Sequence, residues 1–271
     1  KWSYLAFIIA AILLLLVITP LGVTRNGAQR WLGVGETFQI QPSEIMKPVL
    51  VLAIATYLSR NVKKLNNIKG YIVPIIMLLI VVLLMYLQKH MSGMLVLIVA
   101  AVSVIFASGI KLKFRAIAAG VLVIGMVGVA FVMAEDFRLQ RILAFMNPEE
   151  NLKDDNWQAA QSLYAIGSGG LFGRGLGQSR QKYLWLPEAQ NDFIFSILGE
   201  ELGFVGTTVV LGLFGFFIYK GYKIAMTCKD FYGSLIAAGI TSIFAIQILI
   251  NVAVVTCSMP VTGMTLPFFS Y

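Results

Sequence analysis

Five stretches of this chain, 2–24, 70–88, 91–110, 116–134 and 231–271, contain no charged residue. Each reaches or approaches the ~20 apolar residues that carry a helix across the ~30 Å hydrocarbon core of a bilayer. Two further apolar stretches are interrupted by charge: 43–59 holds Glu44 and Lys47 at one end, and 193–219 holds Glu200 and Glu201. The five and the two together predict seven membrane crossings. Only helices or closed barrels satisfy every backbone group inside lipid, and runs this long and continuously apolar lack the alternation of barrel strands. The predicted fold class is therefore all-α, a polytopic transmembrane helix bundle. The run 2–24 is too long for a secretion signal, is flanked by a single basic residue, Lys1, and precedes six more crossings, so it reads as a span. Only 13% of the residues are charged, about half of what a soluble domain carries.

Lys and Arg in short loops mark the cytoplasmic side of a membrane protein. One set of loops holds Arg60, Lys63, Lys64 and Lys69, then Lys111, Lys113 and Arg115, then Lys220, Lys223 and Lys229, with Asp230 as its one acid. That set is assigned to the cytoplasm, which puts Trp31, Glu44, Asp192 and the last residue on the outer side. The net charge of +8 follows from this topology and gives no ground for a nucleic-acid partner. Cys228 falls on the inner side and Cys257 near the outer end of the last span, so the two cannot pair, and no ligand spacing surrounds the lone His90. A metal site built on Cys or His is not expected.

Two loops are long, and both belong to the outer side: 25–42 and 135–192. Loops of such length in compact architectures usually carry function or are disordered. The second contains Trp157, Tyr164, Phe172, Tyr183 and Trp185, too many aromatic residues for a disordered linker. Residues 157–166 fit a short amphipathic helix lying at the membrane interface. The chain, 1–271, reads as a single integral membrane domain with 135–192 as its large extracytoplasmic loop.

Three segments carry candidate chemistry. The first is LPEAQNDFIFSILGEELGFVG, which begins at Leu186 and holds Glu188, Asp192, Glu200 and Glu201. Asn191 suits an N-cap, which would put Asp192 in a first helical turn, where the helix dipole favours a carboxylate. Asp192, Ser196, Gly199, Gly203 and Gly206 then share one face, a small-residue stripe that either packs tightly against a neighbour or lines a cavity. From the residues alone Asp192 is equally a helix cap or a reactive group. For Glu200 and Glu201 a buried hydrogen-bonding or salt-bridging role is the better reading.

The second segment, GSGGLFGRGLGQSRQK from Gly167, offers backbone amides and the cations Arg174, Arg180 and Lys182 to an anionic group. It is neither a dinucleotide-binding fingerprint nor a P-loop, and glycines that merely permit tight turns are the simpler reading. The third segment runs from Asn26 to Pro48. Its Gln41-Pro42-Ser43-Glu44 resembles a helix start, with Lys47 placed to pair with Glu44 at i,i+3.

NGAQRW, QPSEIMKP, the WQAAQS…AIGSGGLFGRGLGQS…LPEAQNDFIFSILGEELGFVG block and the terminal PVTGMTLPFFSY together resemble the SEDS family (shape, elongation, division and sporulation), represented by RodA, FtsW and SpoVE. EAQNDF is more similar to the FtsW/SpoVE branch. Members of that family have about ten transmembrane helices, so the chain resembles a fragment lacking the first two helices and the last. At the outer end of its third span it reads Lys89-His90-Met91-Ser92-Gly93 where relatives often carry an acid before the glycine.

The resemblance implies a peptidoglycan glycosyltransferase of the bacterial cytoplasmic membrane, polymerising lipid II, an undecaprenyl-diphosphate-linked disaccharide peptide, at the outer leaflet. A class B penicillin-binding protein is the implied partner, beside membrane lipid. By motif, Asp192 matches the family's essential outer-loop aspartate. The substrate-binding candidates are Arg30, Ser43, Glu44, Lys47, Arg141, Arg174, Lys182 and Glu188. The donor leaves as a lipid diphosphate, already a good leaving group, so the inverting reaction needs a base and cations but no general acid. This differs from glycosidases, which use two carboxylates. Asp192 would take the proton from the acceptor's 4-hydroxyl, with a divalent cation, Mg²⁺ or Mn²⁺, as the one cofactor the reaction leaves room for. The competing readings are a flippase for the same lipid and an inactive scaffold that recruits a cell-wall transpeptidase.

Overall fold

The computed structural model describes residues 2–25, 28–34, 38–109, 155–183, 186–187 and 189–270. The expected span 116–134 and the site candidates Arg141 and Glu188 lie outside the described residues. The chain falls into two compact units, Lys1–Leu122 with Lys220–Ile243, and Val123–Tyr219 with Phe244–Tyr271.

In the first unit, α1 (Trp2–Ile18) is apolar all round, as suits a helix with protein on one side and lipid on the other. It is followed by β1 (Gly22–Arg25), β2 (Ala28–Val34) and β3 (Phe38–Ile40), an antiparallel three-stranded sheet in sequence order. The sheet stands where the sequence predicted only a long loop, so the class is helical with a small β element. Its first pairing closes through Arg25 and Ala28, which flank Asn26-Gly27, the dipeptide with the strongest hairpin preference.

The helix α2 (Pro42–Arg60) begins as expected, with Pro42 in its first turn, Glu44 close behind and Arg60 in the last turn, each complementing the helix ends. Two 3₁₀ turns lead to α3 (Ile72–Leu87), and a sharp turn joins it to α4 (Met91–Ala107). Met46, Leu50, Ile54 and Leu58 recur every fourth residue on α2 and are fully buried, as are Leu14, Val17, Met85 and Leu97. Ile12, Leu15, Leu79 and Leu83 are exposed, which costs nothing where the solvent is hydrocarbon. Gly239 closes this core: a Cβ there would lie 2.5 Å from Val51 and 2.6 Å from Val104, the close approach that small residues allow between membrane helices.

In the second unit, α5 (Asp155–Gly169) contains the helix expected over 157–166. A glycine-rich loop follows, then α6 (Ile194–Thr227), which continues into the first unit, and α7 (Phe231–Val255), which returns from it. Residues Lys69–Leu87, Ile194–Thr227 and Phe231–Val255 are long and apolar enough to cross a membrane, and α1 and α4 are shorter apolar helices. The uncharged run 231–271 is not one helix. It leaves helical geometry after Val255 and continues as a non-helical segment through residue 270, which contains Pro260 and Pro267; proline lacks the N–H that helix propagation requires.

Candidate active site

In the first unit the candidates gather around the α3–α4 turn. Lys89 adopts φ 55°, which turns its carbonyl toward β2, and the Arg30 guanidinium donates to it at 2.9 Å. The buried Gln88 amide ties the same turn to the Leu14 carbonyl at 2.7 Å. On α2, the Lys47 ammonium donates to both carboxylate oxygens of Glu44 at 2.7 Å, the i,i+3 pair expected from sequence. Lys47 is buried while the Glu44 side chain is half exposed, so the pair presents its acid outward and is net neutral. Ser43 is buried, and its hydroxyl has no hydrogen-bond partner among the described residues.

The surroundings of His90 explain why an imidazole can stand there. Its ring packs on Gly93, where a Cβ would lie 2.7 Å from Cε1, and it is buried with Nδ1 unpartnered among the described residues. Burial, then the charges of Arg30 and Lys47, lower its pKa from 6.5 to about 3. Two cations next to an acid would attract; next to a histidine they keep it neutral. The folded chain therefore refuses a proton that the unfolded chain accepts below pH 6.5. The stability should fall as pH drops from about 6.5 toward 3, by at most about 1.4 kcal/mol per pH unit, and His90→Gln should flatten that dependence. Denaturation midpoints between pH 7 and pH 4 check this; equal slopes for both proteins would contradict it.

In the second unit the glycine-rich loop does hold an anion, and the anion is the protein's own Glu200. This carboxylate is buried and accepts from the Ser179 hydroxyl at 2.6 Å and from the amides of Arg180 at 3.1 Å and Gln181 at 3.2 Å. Arg174 lies 3.4 Å from it. Glu201 accepts from the Lys182 ammonium at 3.0 Å and the Ser179 amide at 3.3 Å. The structural role expected for both glutamates is what they perform. Arg174 and Lys182, sequence candidates for binding substrate, are charge partners of these glutamates inside this loop, and Arg174 also donates to the Ser168 carbonyl.

The small-residue stripe does not lie on one continuous helix. At Gly203 the backbone takes φ 68°, ψ −169° and α6 breaks. The loop enters the break: the amides of Arg174 and Gly175 donate to the carbonyls of Glu200 and Glu201, while the amides of Phe204 and Val205 donate to Gly170 and Leu171, all at 2.9–3.0 Å. Four main-chain groups orphaned by the break are thus satisfied, as a segment read as membrane-spanning requires. Before the break the stripe packs tightly at Ser196 and Gly199. The Ser196 hydroxyl shares a 2.7 Å hydrogen bond with that of Ser162, which itself reaches the Val255 carbonyl, and a Cβ on Gly169 would strike the Gly199 carbonyl.

Asp192 lies in a turn just before α6, which begins at Ile194. The helix starts two residues later than an N-cap at Asn191 would put it: it begins at Ile194, and the amides of Ser196 and Ile197 bond to the Phe193 carbonyl. The Asp192 carbonyl accepts from the Asn251 amide at 2.8 Å, and a Cβ on Gly263 would lie 3.2 Å from its Oδ2. Asn251 and Gly263 were not singled out from sequence; the one signal was a fully polar side chain in the middle of an uncharged run. Arg30, Lys47 and His90 belong to the first unit and Asp192 to the second. Among the described residues no group of three or more His, Cys, Asp or Glu side chains could hold a metal ion.

The "Cell cycle protein" family model of FtsW, RodA and SpoVE matches residues 1–271. Stage V sporulation protein E of Bacillus subtilis is 43% identical over 276 residues, covering 100% of this chain and 74% of its own length. A probable peptidoglycan glycosyltransferase FtsW of Trichlorobacter lovleyi is 38% identical over 277 residues, covering 100% of this chain and 71% of its own. Among solved structures, a chain from a peptidoglycan synthase complex that coordinates polymerization and crosslinking superposes with TM-score 0.79 at 27% identity, over 99% of this chain and 74% of that one. The rod shape determining protein RodA of Thermus thermophilus superposes with TM-score 0.69 at 30% identity, over 99% and 71%. The fold is the polytopic helix bundle of these membrane proteins, and the chain belongs to the FtsW/RodA/SpoVE family.

Proposed function

We propose that this chain is a peptidoglycan glycosyltransferase that polymerises lipid II, with its reactive face on the outer side of the bacterial cytoplasmic membrane. The names of its relatives, led by the FtsW glycosyltransferases, support the activity. The position of Asp192, fixed at the head of α6 by Asn251, is the structural observation that carries the choice of base. Glu200 and Glu201, in contrast, are tied into the loop.

Asp192 takes the proton from the acceptor's 4-hydroxyl as that oxygen attacks the donor's anomeric carbon. The bond to the lipid diphosphate breaks on the opposite face, and the diphosphate leaves without needing protonation. Arg30 and Arg141 supply positive charge to the diphosphate; Lys47 contributes less, because Glu44 neutralises it. A divalent cation, Mg²⁺ or Mn²⁺, held partly by Asp192 or by the diphosphate itself, would add positive charge there. A class B penicillin-binding protein is the proposed partner, by analogy with the synthase complex that the fold resembles. The multi-pass topology follows the Lys/Arg bias of the loops.

Purified protein, alone and with such a partner, incubated in detergent with fluorescent lipid II tests the reading. Glycan polymer is expected. Movement of the lipid in sealed vesicles without polymer would show a flippase, and neither result would show a scaffold.

A further inference from the structure

One of the buried polar residues of α7 has no explanation in packing alone. Asn251 is fully buried and directs its Nδ2 to two main-chain carbonyls, Asp192 at 2.8 Å and Met264 at 2.6 Å. Among the described residues its own Oδ1 has no partner, an arrangement that costs free energy in an apolar interior. Both partners are acceptors, so the amide nitrogen must face them. Ser270 makes a second tie between the same two segments. Its hydroxyl donates to the Asn191 carbonyl at 2.5 Å and accepts from the Leu266 amide at 2.8 Å. Between these ties Gly263, at φ 62°, brings its backbone against the Asp192 carboxylate. Three contacts from α7 and the segment after it therefore converge on the turn that carries Asp192, and all lie in one unit.

We infer that Asn251 and Ser270 are positioning residues for the Asp192 base: they clamp its turn to the segment Met264–Ser270 and so fix the carboxylate's aim. The inference rests on the assignment of Asp192 as the base. Misplacing a reacting group by about 1 Å can cost about 100-fold in rate, whereas substrate held by other residues keeps its affinity. The signature is thus a fall in kcat at unchanged KM.

The test is steady-state polymerisation of fluorescent lipid II by the full chain in detergent, with its penicillin-binding partner where activity depends on it. Asn251→Asp keeps the side chain's shape but sets an oxygen against two carbonyls, and is expected to lower kcat about 100-fold with KM within about twofold. Ser270→Ala should lower kcat about tenfold, and Ser270→Thr, which keeps the hydroxyl, should restore it. Thr256→Ala, at an exposed position just past the end of α7, should leave kcat unchanged. If Asn251→Asp does not fold, the Ser270 pair decides. Wild-type kcat in Ser270→Ala, or a loss that Ser270→Thr does not restore, overturns the inference. Asp192→Asn in the same assay separates the two claims: full activity there refutes the base itself, whereas an inactive Asp192→Asn beside active clamp variants refutes only the clamp.

Discussion

Gly203→Ala is expected to leave the second unit unable to reach its native fold. The position needs φ 68° with ψ −169°, a region essentially closed to residues with a Cβ and costing about 1–3 kcal/mol where forced. The steric conflict is larger. A Cβ would lie 2.2 Å from the Gly173 amide nitrogen and 2.7 Å from the Leu171 carbonyl oxygen, both main-chain atoms that cannot rotate away. Moving them apart releases the four main-chain hydrogen bonds that seal the break in α6, each contributing about 1 kcal/mol and costing more if its groups are left unpaired. The sum exceeds about 4 kcal/mol, a large share of the 5–15 kcal/mol that holds an ordinary domain. Gly173→Ala should act in the same direction, since its φ is 78° and its Cβ would strike the Glu201 carbonyl. The yield of monodisperse protein and its thermal midpoint in detergent measure this; a Gly203→Ala protein with the wild-type midpoint would contradict it.

That break shows where sequence reasoning stops. The pattern of Ser196, Gly199, Gly203 and Gly206 was legible as a small-residue stripe, and at Ser196 and Gly199 it does what such stripes do, packing closely on α5. Nothing in the spacing distinguishes a glycine that lets helices touch from one that ends a helix, because both need only the absence of a Cβ. The Gly203 conformation depends on a loop whose amides arrive from more than twenty residues earlier in the chain. The pairs that form within one helical turn were legible. Glu44 with Lys47 is the clearest, since i,i+3 spacing fixes the contact regardless of tertiary structure.

The small sheet was written locally in Asn26-Gly27, but a search tuned to apolar runs passes over strands of three to seven residues. Likewise Pro260 and Pro267 signalled the end of α7 inside a run whose hydropathy alone reads as continuous span. The cradle of Glu200 was half legible. A buried acid in a membrane helix must find donors, and a glycine-rich, cationic loop can provide them, yet composition could not say that each would satisfy the other instead of a ligand. His90 is the reverse case, where the lone histidine was visible in the sequence and its consequence, a neutral ring beside two cations, needed the geometry of Arg30 and Lys47.

The role of Asp192 carries the functional account, and its replacement should have the largest effect on activity. Asn keeps the size of the side chain, so the main-chain bond from Asn251 to residue 192 survives and the turn keeps its place. What is lost is a group able to accept the acceptor sugar's proton, a contribution of about 10²–10⁴ in rate for a positioned general base. Without it the 4-hydroxyl must attack as a neutral alcohol. With Arg30 and Arg141 in their proposed role at the diphosphate, KM should change little. The direct measurement is the turnover of fluorescent lipid II into glycan polymer by wild type and Asp192→Asn, at equal thermal midpoint and equal association with the proposed penicillin-binding partner. A fall in kcat of at least about 100-fold is expected; turnover within about twofold of wild type would rule out Asp192 as the base.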